Sequence, residues 1–279
     1  MPSIQEKRRA FRALHEAGCF VIPNPWDVGT ARYLQHLGFK ALATTSSGAA
    51  FALGFPDGAV GRDPMLAHLR SLVDACDLPV NADFGNGFAD DPKGVATNVR
   101  LAVATGIAGL SIEDQLPGTL RLYEPARAVD RVRAARAAID ATGADVMLVA
   151  RSECYLTGHP EPRKEAIRRL EQFAAAGADV LYAPGVRTPD DIAAIVEAVA
   201  PKPVNVLVGW PSDLTVDDLA ALGVRRISVG GALAKVAWAA FIKAATEIAT
   251  VGRFDAFAAA KAAGDLDAFF RAEAGRRGA

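Results

Sequence analysis

The chain has 279 residues, 51% of them hydrophobic and 23% charged, which is typical of a globular protein with one large domain or two ordinary ones. With 31 basic and 32 acidic residues and a net charge of -1, it carries no basic field that would attract nucleic acid. It has no apolar run near the roughly 20 residues that a membrane-spanning helix needs, so we expect neither a nucleic-acid nor a membrane partner.

The N-terminal segment and the cysteines point to a cellular compartment. Residues 1–18, MPSIQEKRRAFRALHEAG, are patterned as an amphipathic helix and lack the apolar core of a signal peptide. Cys19, Cys76 and Cys154 are far apart and form no CxxC pair, as is usual in a reducing environment. We therefore predict a soluble, cytoplasmic protein.

Short apolar runs rich in β-branched residues alternate with stretches of helical spacing. Eight runs are candidate strands: Cys19–Pro23, Ala41–Thr45, Pro79–Asp83, Gly109–Ile112, Val146–Arg151, Val180–Ala183, Pro203–Leu207 and Arg226–Val229. Between them, apolar residues at helical spacing predict helices over Ala96–Ala104, Ala126–Ala141, Lys164–Ala176 and Pro189–Val199.

Several predicted helices end in a similar phrase, namely HLGFKAL, ATGIAGL, ATGADVML, AAGADVL and ALGVRRI. In each phrase a glycine stands between the helix and the next strand, where it can adopt the left-handed conformation that closes a helix. Two further helix starts are marked by Thr188 and Thr215, because a capping hydroxyl is followed there by acidic residues.

Eight strand–helix repeats in about 250 residues predict an α/β fold, a (β/α)8 TIM barrel. An open, doubly wound sheet is the alternative, since strand order is not visible in the sequence. No change of composition separates two domains, so we predict one barrel domain over residues 1–279, with residues 232–279 as a C-terminal helical extension. This extension contains more apolar helical sequence than the last barrel repeat requires.

In such a barrel the chemistry lies at the carboxyl ends of the strands and in the loops after them. Polar residues, glycines and one tryptophan stand at these positions after seven of the eight predicted strands. They are Asn24, Trp26 and Asp27; Thr45, Ser46, Ser47 and Asp57; Asn81 and Asp83; Glu113 and Asp114; Arg151; Asn205; and Gly230 with Gly231.

Several of these positions also have a purely structural interpretation. Asp57 directly precedes Gly58 and Asp83 stands two residues before Gly85, so both suit turns, and Glu113 with Asp114 suits a helix start. Arg151 is different, because it ends an apolar strand and a buried guanidinium requires an anion, from the protein or from a ligand. The convergence of three carboxylates and an arginine on one rim favours a site.

Carboxylates without a histidine or cysteine partner indicate a hard cation, Mg²⁺ or Mn²⁺, rather than zinc. No lysine ends a strand, since Lys40 and Lys202 precede theirs, and this disfavours a Schiff-base aldolase. The Gly230-Gly231 pair follows the eighth strand, where barrels often bind phosphate, but glycines there also permit tight packing.

The assembled segments resemble the isocitrate lyase/phosphoenolpyruvate mutase superfamily over most of the chain. The matching segments are NPWDVGTARYLQHLGFKALATTSSGAAFALGFPDG, PVNADFGNGFADDP, GIAGLSIEDQ, VMLVARSE, PVNVL and GVRRISVGGAL. The resemblance implies a (β/α)8 barrel, Mg²⁺-dependent chemistry on small 2-oxo or 2-hydroxy acids, and a homo-oligomer, usually a tetramer. It also implies an eighth helix swapped onto a neighbouring subunit.

Carried over by position, the resemblance implies a role for each candidate residue. Asp57, Asp83 and Glu113 resemble the metal-site carboxylates, while Asn81 stands where relatives often have a further aspartate. Arg151, with Asp57 and Glu113, resembles the catalytic set, and Arg151 would face the substrate oxyanion. The substrate-binding set comprises Trp26, Asp27, Thr45, Ser46, Ser47, Asn205 and Gly230.

The segment after Glu113-Asp114-Gln115 departs from the named activities. Isocitrate and methylisocitrate lyases carry Lys-Lys-Cys-Gly-His there, and phosphoenolpyruvate mutases carry a loop with lysine and asparagine, whereas this chain has LPGTLRLYE. We expect a lyase that cleaves a C–C bond of a small di- or tricarboxylate through a metal-stabilised enolate. Phosphonate P–C chemistry and a non-catalytic dicarboxylate-binding barrel are the alternatives, and candidates for the proton donor or base are Tyr123, Glu124, Glu153 and His159.

Overall fold

All eight predicted strands form, and they run parallel in one sheet. In the computed structural model, which describes residues 2–277, the strands are β1 Phe20–Ile22, β2 Leu42–Ala43, β3 Val80–Asp83, β4 Gly109–Glu113, β5 Met147–Arg151, β6 Val180–Tyr182, β7 Val204–Leu207 and β8 Arg226–Ser228. From β2 to β8 each strand pairs with its neighbours in chain order, and β1 pairs with β8. The Ala43 N–H donates to the Pro23 carbonyl at 3.0 Å and joins β2 to the end of β1. The barrel prediction is confirmed, and the open doubly wound alternative is wrong.

Helices follow the strands around the barrel. In the described chain the α-helices are α1 Ile4–Ala13, α2 Val28–His36, α3 Ser46–Ala52, α4 Arg62–Ala75, α5 Pro92–Val103, α6 Pro125–Asp140, α7 Pro162–Ala175, α8 Pro189–Val199, α9 Val216–Ala221, α10 Ala232–Val251 and α11 Leu266–Arg277. Helix α5 begins earlier than its apolar spacing predicts because Asp91 caps it, accepting from the Gly94 N–H at 2.9 Å, and Pro92 begins its first turn.

Capping threonines and helix-closing glycines in the sequence correctly predicted several helix ends. The predicted helix starts at Thr188 and Thr215 are capped as expected, since each hydroxyl accepts from the backbone N–H three residues later. The glycines of the five repeated phrases all have positive φ, between 67° and 101°, and so close their helices in the left-handed region. They are Gly38, Gly106, Gly143, Gly177 and Gly223.

The apolar core has two parts. The larger lies between the strands and the surrounding helices, and the smaller includes Ile22, Met147 and Val149 from the strands and Phe11 from α1. Phe11 is fully buried, and a Cβ built on Gly109 would lie 2.7 Å from its ring. Glycine is therefore required at the start of β4, because any side chain there would displace Phe11 from the core.

Strand register aligns the polar residues that end neighbouring strands. Asp83 on β3 pairs with Ser111 on β4, and Glu113 on β4 pairs with Arg151 on β5. Since parallel strands end on the same side of the sheet, the side chains of Asp83, Glu113 and Arg151 are brought to one rim of the barrel.

The described chain divides into two compact units, residues 2–231 and residues 232–277. The second unit consists of α10, a 3₁₀ helix over Asp255–Ala263, and α11. Many of its large apolar side chains are exposed, including Val236, Trp238, Phe241, Ile242, Val251, Phe254 and Phe257. Within residues 2–277, none of the helices combines the length and the apolar character required to span a bilayer.

Candidate active site

Arg151 is the centre of the charged cluster on the rim. Its Nη1 lies 2.9 Å from Asp83 Oδ1, its Nη2 lies 3.3 Å from Glu113 Oε2, and its Nε lies 2.8 Å from Glu153 Oε1. The arginine side chain is only 16% exposed, and that of Glu153 is 1% exposed. These carboxylates supply the anion that a buried arginine at the end of β5 requires.

The cluster contains more negative charge than Arg151 balances. Burial raises the pKa of Glu113 well above its ordinary value, and the neighbouring Glu153, Asp83 and Asp57 raise it further, against the attraction of Arg151. Burial likewise raises the pKa of Asp57, with a further contribution from Asp83. Raised carboxylate pKa values around a single guanidinium indicate a site that would be stabilised by an additional cation.

Ser46, the first residue of α3, forms hydrogen bonds to both Asp57 and Asp83. Its backbone N–H donates to Asp83 Oδ2 at 3.0 Å, and its hydroxyl donates to Asp57 Oδ1 at 3.1 Å. The backbone N–H of Asp83 donates to the Thr44 hydroxyl at 2.8 Å, so this strand end is held by its neighbour β2. Ser46 thereby fixes two of the predicted metal-site carboxylates in relation to each other.

These residues lie on the floor of a cavity of about 720 Å³ formed by the loops after β2, β3, β4 and β5. Of the predicted catalytic and metal residues, Asp57, Asp83, Glu113 and Arg151 line it, and of the predicted substrate-binding residues Ser46 lines it. The remaining wall includes Arg62, Met65, Phe84, Asn86, Phe88, Asp90, Gln115, Leu116, Glu153 and Leu156.

The predicted residues that follow β1, β2 and β8 have structural contacts outside this lining. The Thr45 hydroxyl caps α3 and lies 3.0 Å from the Ser47 hydroxyl. Asp27 caps α2 by accepting from the Thr30 N–H at 2.7 Å, and the half-buried Trp26 lies beside it. The Gly230 N–H donates to Asn24 Oδ1 at 2.9 Å, so it already has a protein partner. The substrate-binding roles of these residues stay predictions.

Asn81 and Asn205 lie deeper in the barrel, around a buried arginine of β8. Arg226 Nε donates to Asn205 Oδ1 at 2.7 Å, and its Nη1 lies 3.5 Å from Asn81 Oδ1. Burial lowers the pKa of Arg226 to about 10, because no carboxylate contacts it within the described residues. Neither asparagine lines the cavity, and their metal and substrate roles stay predictions.

A buried ion pair that sequence reasoning missed lies behind the site. Asp114 accepts at one oxygen from the Glu153 N–H, at 2.8 Å, and at the other from Arg169 Nη1, at 3.1 Å. Arg169 Nη1 also donates to the Tyr123 carbonyl at 2.9 Å, so α7 holds the 115–123 segment directly and Glu153 through Asp114. Arg169 occupies a helix whose other arginines are mostly exposed, and nothing in its local sequence marks it as different.

A second missed cluster holds the loop after β3. Arg131 on α6 is 1% exposed, and its guanidinium lies 4.0 Å from the centroid of the Tyr123 ring. It donates to the Ala89 and Asp90 carbonyls and also to that of Asn86. The Tyr123 hydroxyl donates to Asp90, which joins this loop to the 115–123 segment and stiffens the cavity wall.

The donor chemistry of the floor suits a hard divalent cation. Asp57, Asp83 and Glu113 offer only oxygen atoms, and no histidine or cysteine is among the residues lining the cavity. Within residues 2–277 no three acidic, histidine or cysteine side chains are already arranged as a metal-binding group. Arg151 contacts Asp83 and Glu113, so coordination there requires these side chains to rearrange around the cation.

Comparison with known proteins identifies the family of this site. Residues 11–249 match the family model described as phosphoenolpyruvate phosphomutase. The chain belongs to the phosphoenolpyruvate phosphomutase family. This confirms the superfamily that the sequence segments resemble.

Relatives within this family are named for several different reactions. The chain is 33% identical to an oxaloacetate decarboxylase of Pseudomonas savastanoi pv. phaseolicola over 80% of its length and 78% of that protein. It is 32% identical to 2-methylisocitrate lyase of Escherichia coli K12 over 64% of its length and 62% of that protein. A crystal structure of a Burkholderia cenocepacia J2315 protein described as a lyase/mutase shares 48% identity, with a TM-score of 0.91 and coverage of 96% and 97% of the two chains.

These comparisons identify the chain as an enzyme of the isocitrate lyase/phosphoenolpyruvate mutase type. They support a lyase or mutase that acts on a small molecule. The cluster around Arg151 lies where a (β/α)8 barrel places its catalytic groups.

Proposed function

We propose that the protein is a divalent-metal-dependent lyase that cleaves a C–C bond of a small 2-oxo or 2-hydroxy di- or tricarboxylate. Substrates resembling oxaloacetate, methylisocitrate or an alkylmalate fit this description. The observation that carries the proposal is the cluster of Arg151 with Asp83, Glu113 and Glu153 on the floor of a cavity lined by further oxygen donors. Preorganised charge of this kind stabilises an enolate as the bond to the leaving fragment breaks.

Different residues of the chain would bind the substrate, hold the cation and limit the access of water. Arg151 holds a fixed positive charge toward the cavity and orients the 2-oxo or 2-hydroxy acid group. Asp57, Asp83 and Glu113, with Asn81 as the fourth candidate, would hold Mg²⁺ or Mn²⁺. When bound, the cation supplies Lewis-acid charge that polarises the substrate oxygen. Phe84, Phe88 and the 115–118 segment of the wall reduce the access of water to the floor.

Glu153 is the proton-transfer candidate that the geometry favours. It lines the cavity and is 2.8 Å from Arg151 Nε, whereas Tyr123, Glu124 and His159 are not among the lining residues. Burial raises the pKa of Glu153 above its ordinary value, so it can hold a proton nearer to neutral pH than an exposed glutamate can. We therefore assign Glu153 this role within the proposed reaction.

Phosphonate chemistry at a P–C bond is the second candidate function. It is favoured by the family model, which is described as a phosphomutase, and by 28% identity to a carboxyvinyl-carboxyphosphonate phosphorylmutase of Arabidopsis thaliana. Phosphonate chemistry would use the same cluster of Arg151 with Asp83, Glu113 and Glu153 on the cavity floor. Turnover assays with phosphonopyruvate beside 2-oxo and 2-hydroxy dicarboxylates separate the two reactions.

Titration with oxalate, a planar analogue of a pyruvate enolate, tests the metal site directly. Isothermal titration calorimetry of the full-length protein is expected to show oxalate binding that requires Mg²⁺. Asp83→Ala is expected to weaken the binding of Mg²⁺ and oxalate by about tenfold to a hundredfold, because it removes a carboxylate from the floor. Asp213→Ala, an exposed aspartate outside the cavity lining, serves as the control. If Asp83→Ala changes neither oxalate binding nor turnover, the metal-site assignment is wrong.

We also propose that the protein is a cytoplasmic homo-oligomer, a dimer or tetramer in which the C-terminal helices pack on a neighbouring subunit. The three free cysteines are in keeping with a reducing compartment. Exposed apolar side chains on α10, with Phe241 60% and Ile242 55% exposed, support an interface that contains this helix.

Light scattering coupled to size exclusion is expected to give a multiple of the 29.2 kDa chain mass. Replacing Phe241 and Ile242 together by aspartate is expected to lower the measured mass, because charges would be buried in the interface. Leu37→Asp alters a residue of the barrel unit that is 58% exposed and should leave the mass unchanged. A monomeric wild-type protein would contradict the proposed assembly.

A further inference from the structure

The charges that line the cavity are unequally distributed between its floor and its wall. Five carboxylates line it, those of Asp57, Asp83, Asp90, Glu113 and Glu153, against the guanidinium groups of Arg151 and Arg62. Three of the carboxylates contact Arg151 directly. Arg62 is therefore the cation of the lining whose charge is not already balanced by the acids of the floor.

Arg62 is held in place by a buried partner. It is the first residue of α4, and its Nη1 donates to Asn98 Oδ1 at 3.1 Å. Asn98 is 5% exposed and is fixed in turn, because its amide donates to the Gly87 and Phe88 carbonyls at 2.9 and 3.1 Å. The guanidinium is thus oriented through α5 and the loop after β3, and this loop also forms part of the cavity wall.

The other contacts of Arg62 leave it able to bind an anion. Its Nε donates to Asp63 Oδ1 at 2.6 Å, but the Asp63 side chain is 73% exposed, and exposed pairs of this kind contribute little. Within residues 2–277 its Nη2 donates no hydrogen bond. A guanidinium that is held along one edge by an amide can still offer another donor to a carboxylate.

The wall that contains Arg62 combines polar and apolar side chains. Met65 lies three residues further along α4, on the same face of the helix, and Phe88, Leu116 and Leu156 line the cavity as well. These apolar wall residues, together with one oriented cation, suit a short carbon chain that ends in an anionic group. The charged floor suits the opposite, reacting end of the same molecule.

We propose that Arg62 is a specificity-determining residue that binds the distal carboxylate of the substrate, while the 2-oxo or 2-hydroxy acid end lies at Arg151. The inference rests on the proposed function, since it assigns the two ends of that substrate to two guanidinium groups. It selects dicarboxylates over monocarboxylates of equal chain length, because the monocarboxylate leaves Arg62 without its anion.

A matched ligand pair tests this assignment. The full-length protein with Mg²⁺ is titrated with 2-oxoglutarate and with 2-oxopentanoate, in which a methyl group replaces the distal carboxylate, and with oxalate, which occupies only the floor. The wild-type protein is expected to bind the diacid more tightly than the monoacid. Arg62→Gln is expected to weaken diacid binding by about tenfold to a hundredfold, the loss of a charge-assisted hydrogen bond, and to leave oxalate and monoacid binding unchanged.

Two controls keep the outcome decisive. Arg70→Gln removes the same charge from the exposed side of α4, outside the cavity lining, and should change none of the three affinities. Arg62→Lys should recover part of the diacid affinity, since it restores the charge without the planar fork. Equal weakening of all three ligands in Arg62→Gln, or no change in any, overturns the role of Arg62 while the proposed function stands. Failure of the wild-type protein to bind oxalate overturns both.

Discussion

Replacing Arg151 by methionine is expected to lower turnover about a thousandfold and to destabilise the fold by about 3 kcal/mol. The substitution keeps much of the side-chain volume but removes the cation that Asp83, Glu113 and Glu153 share. Those carboxylates would then repel one another around the cavity floor, and no fixed positive charge would stabilise the developing enolate. Steady-state kinetics on the best substrate of the dicarboxylate panel and urea unfolding measure the two effects.

Arg136→Met is the matched control for this experiment. Arg136 is 19% exposed and contacts Asp140 at 2.7 Å and Asp179 at 3.0 Å, but Asp179 precedes β6, at the opposite end of the barrel. We expect Arg136→Met to destabilise the fold while turnover per folded molecule stays at the wild-type level. Equal losses of turnover in the two variants would show that Arg151 acts through stability alone and would contradict its catalytic assignment.

Asp114→Asn is expected to destabilise the protein by about 3 kcal/mol, although it changes one atom of a residue outside the cavity lining. Both carboxylate oxygens accept hydrogen bonds, from the Glu153 N–H and from Arg169 Nη1. An asparagine offers one acceptor and one NH₂ group, so it places a donor against a donor at one of these contacts. The free energy of unfolding from urea denaturation checks the expectation.

A loss of activity beyond the loss of folded protein is expected for the same variant. Glu153 is anchored by the bond from its own N–H to Asp114, and it in turn contacts Arg151. Asp140→Asn is the control, because the Asp140 side chain is 64% exposed and its removal should change stability by no more than about 0.5 kcal/mol. A stability change in Asp114→Asn as small as in the control would mean that the buried ion pair is not structurally important.

Position along the chain was enough to predict the groups on the cavity floor. Asp83, Glu113 and Arg151 end neighbouring strands, and parallel pairing brings such residues to one rim whatever the loops do. Thr45, Asn205 and Gly230 also end strands or follow them, yet none of them lines the cavity. Position at a strand end identifies the rim, and the path of the loops determines which part of the rim forms a pocket.

Contacts between distant segments could not be predicted from one sequence. Arg169 and Asp114 are 55 residues apart, and Arg131 and Ala89 are 42 apart, so no local pattern distinguishes these arginines from solvated residues of their helices. The orientation of Arg62 could not be predicted either, since Arg62 begins a helix as many exposed arginines do. Its orientation depends on Asn98, which lies on the next helix.

The sequence by itself determined the eight strand–helix repeats, the rim on which the acids and Arg151 lie, and the family. It could do so because hydrophobic periodicity, glycine caps and strand ends are local properties of the chain. The tertiary structure decided which polar residues share one cavity, which are capped or buried elsewhere, and which arginines carry an ion pair. These outcomes depend on the packing of loops and helices against one another, and that packing is a property of the whole barrel rather than of any segment.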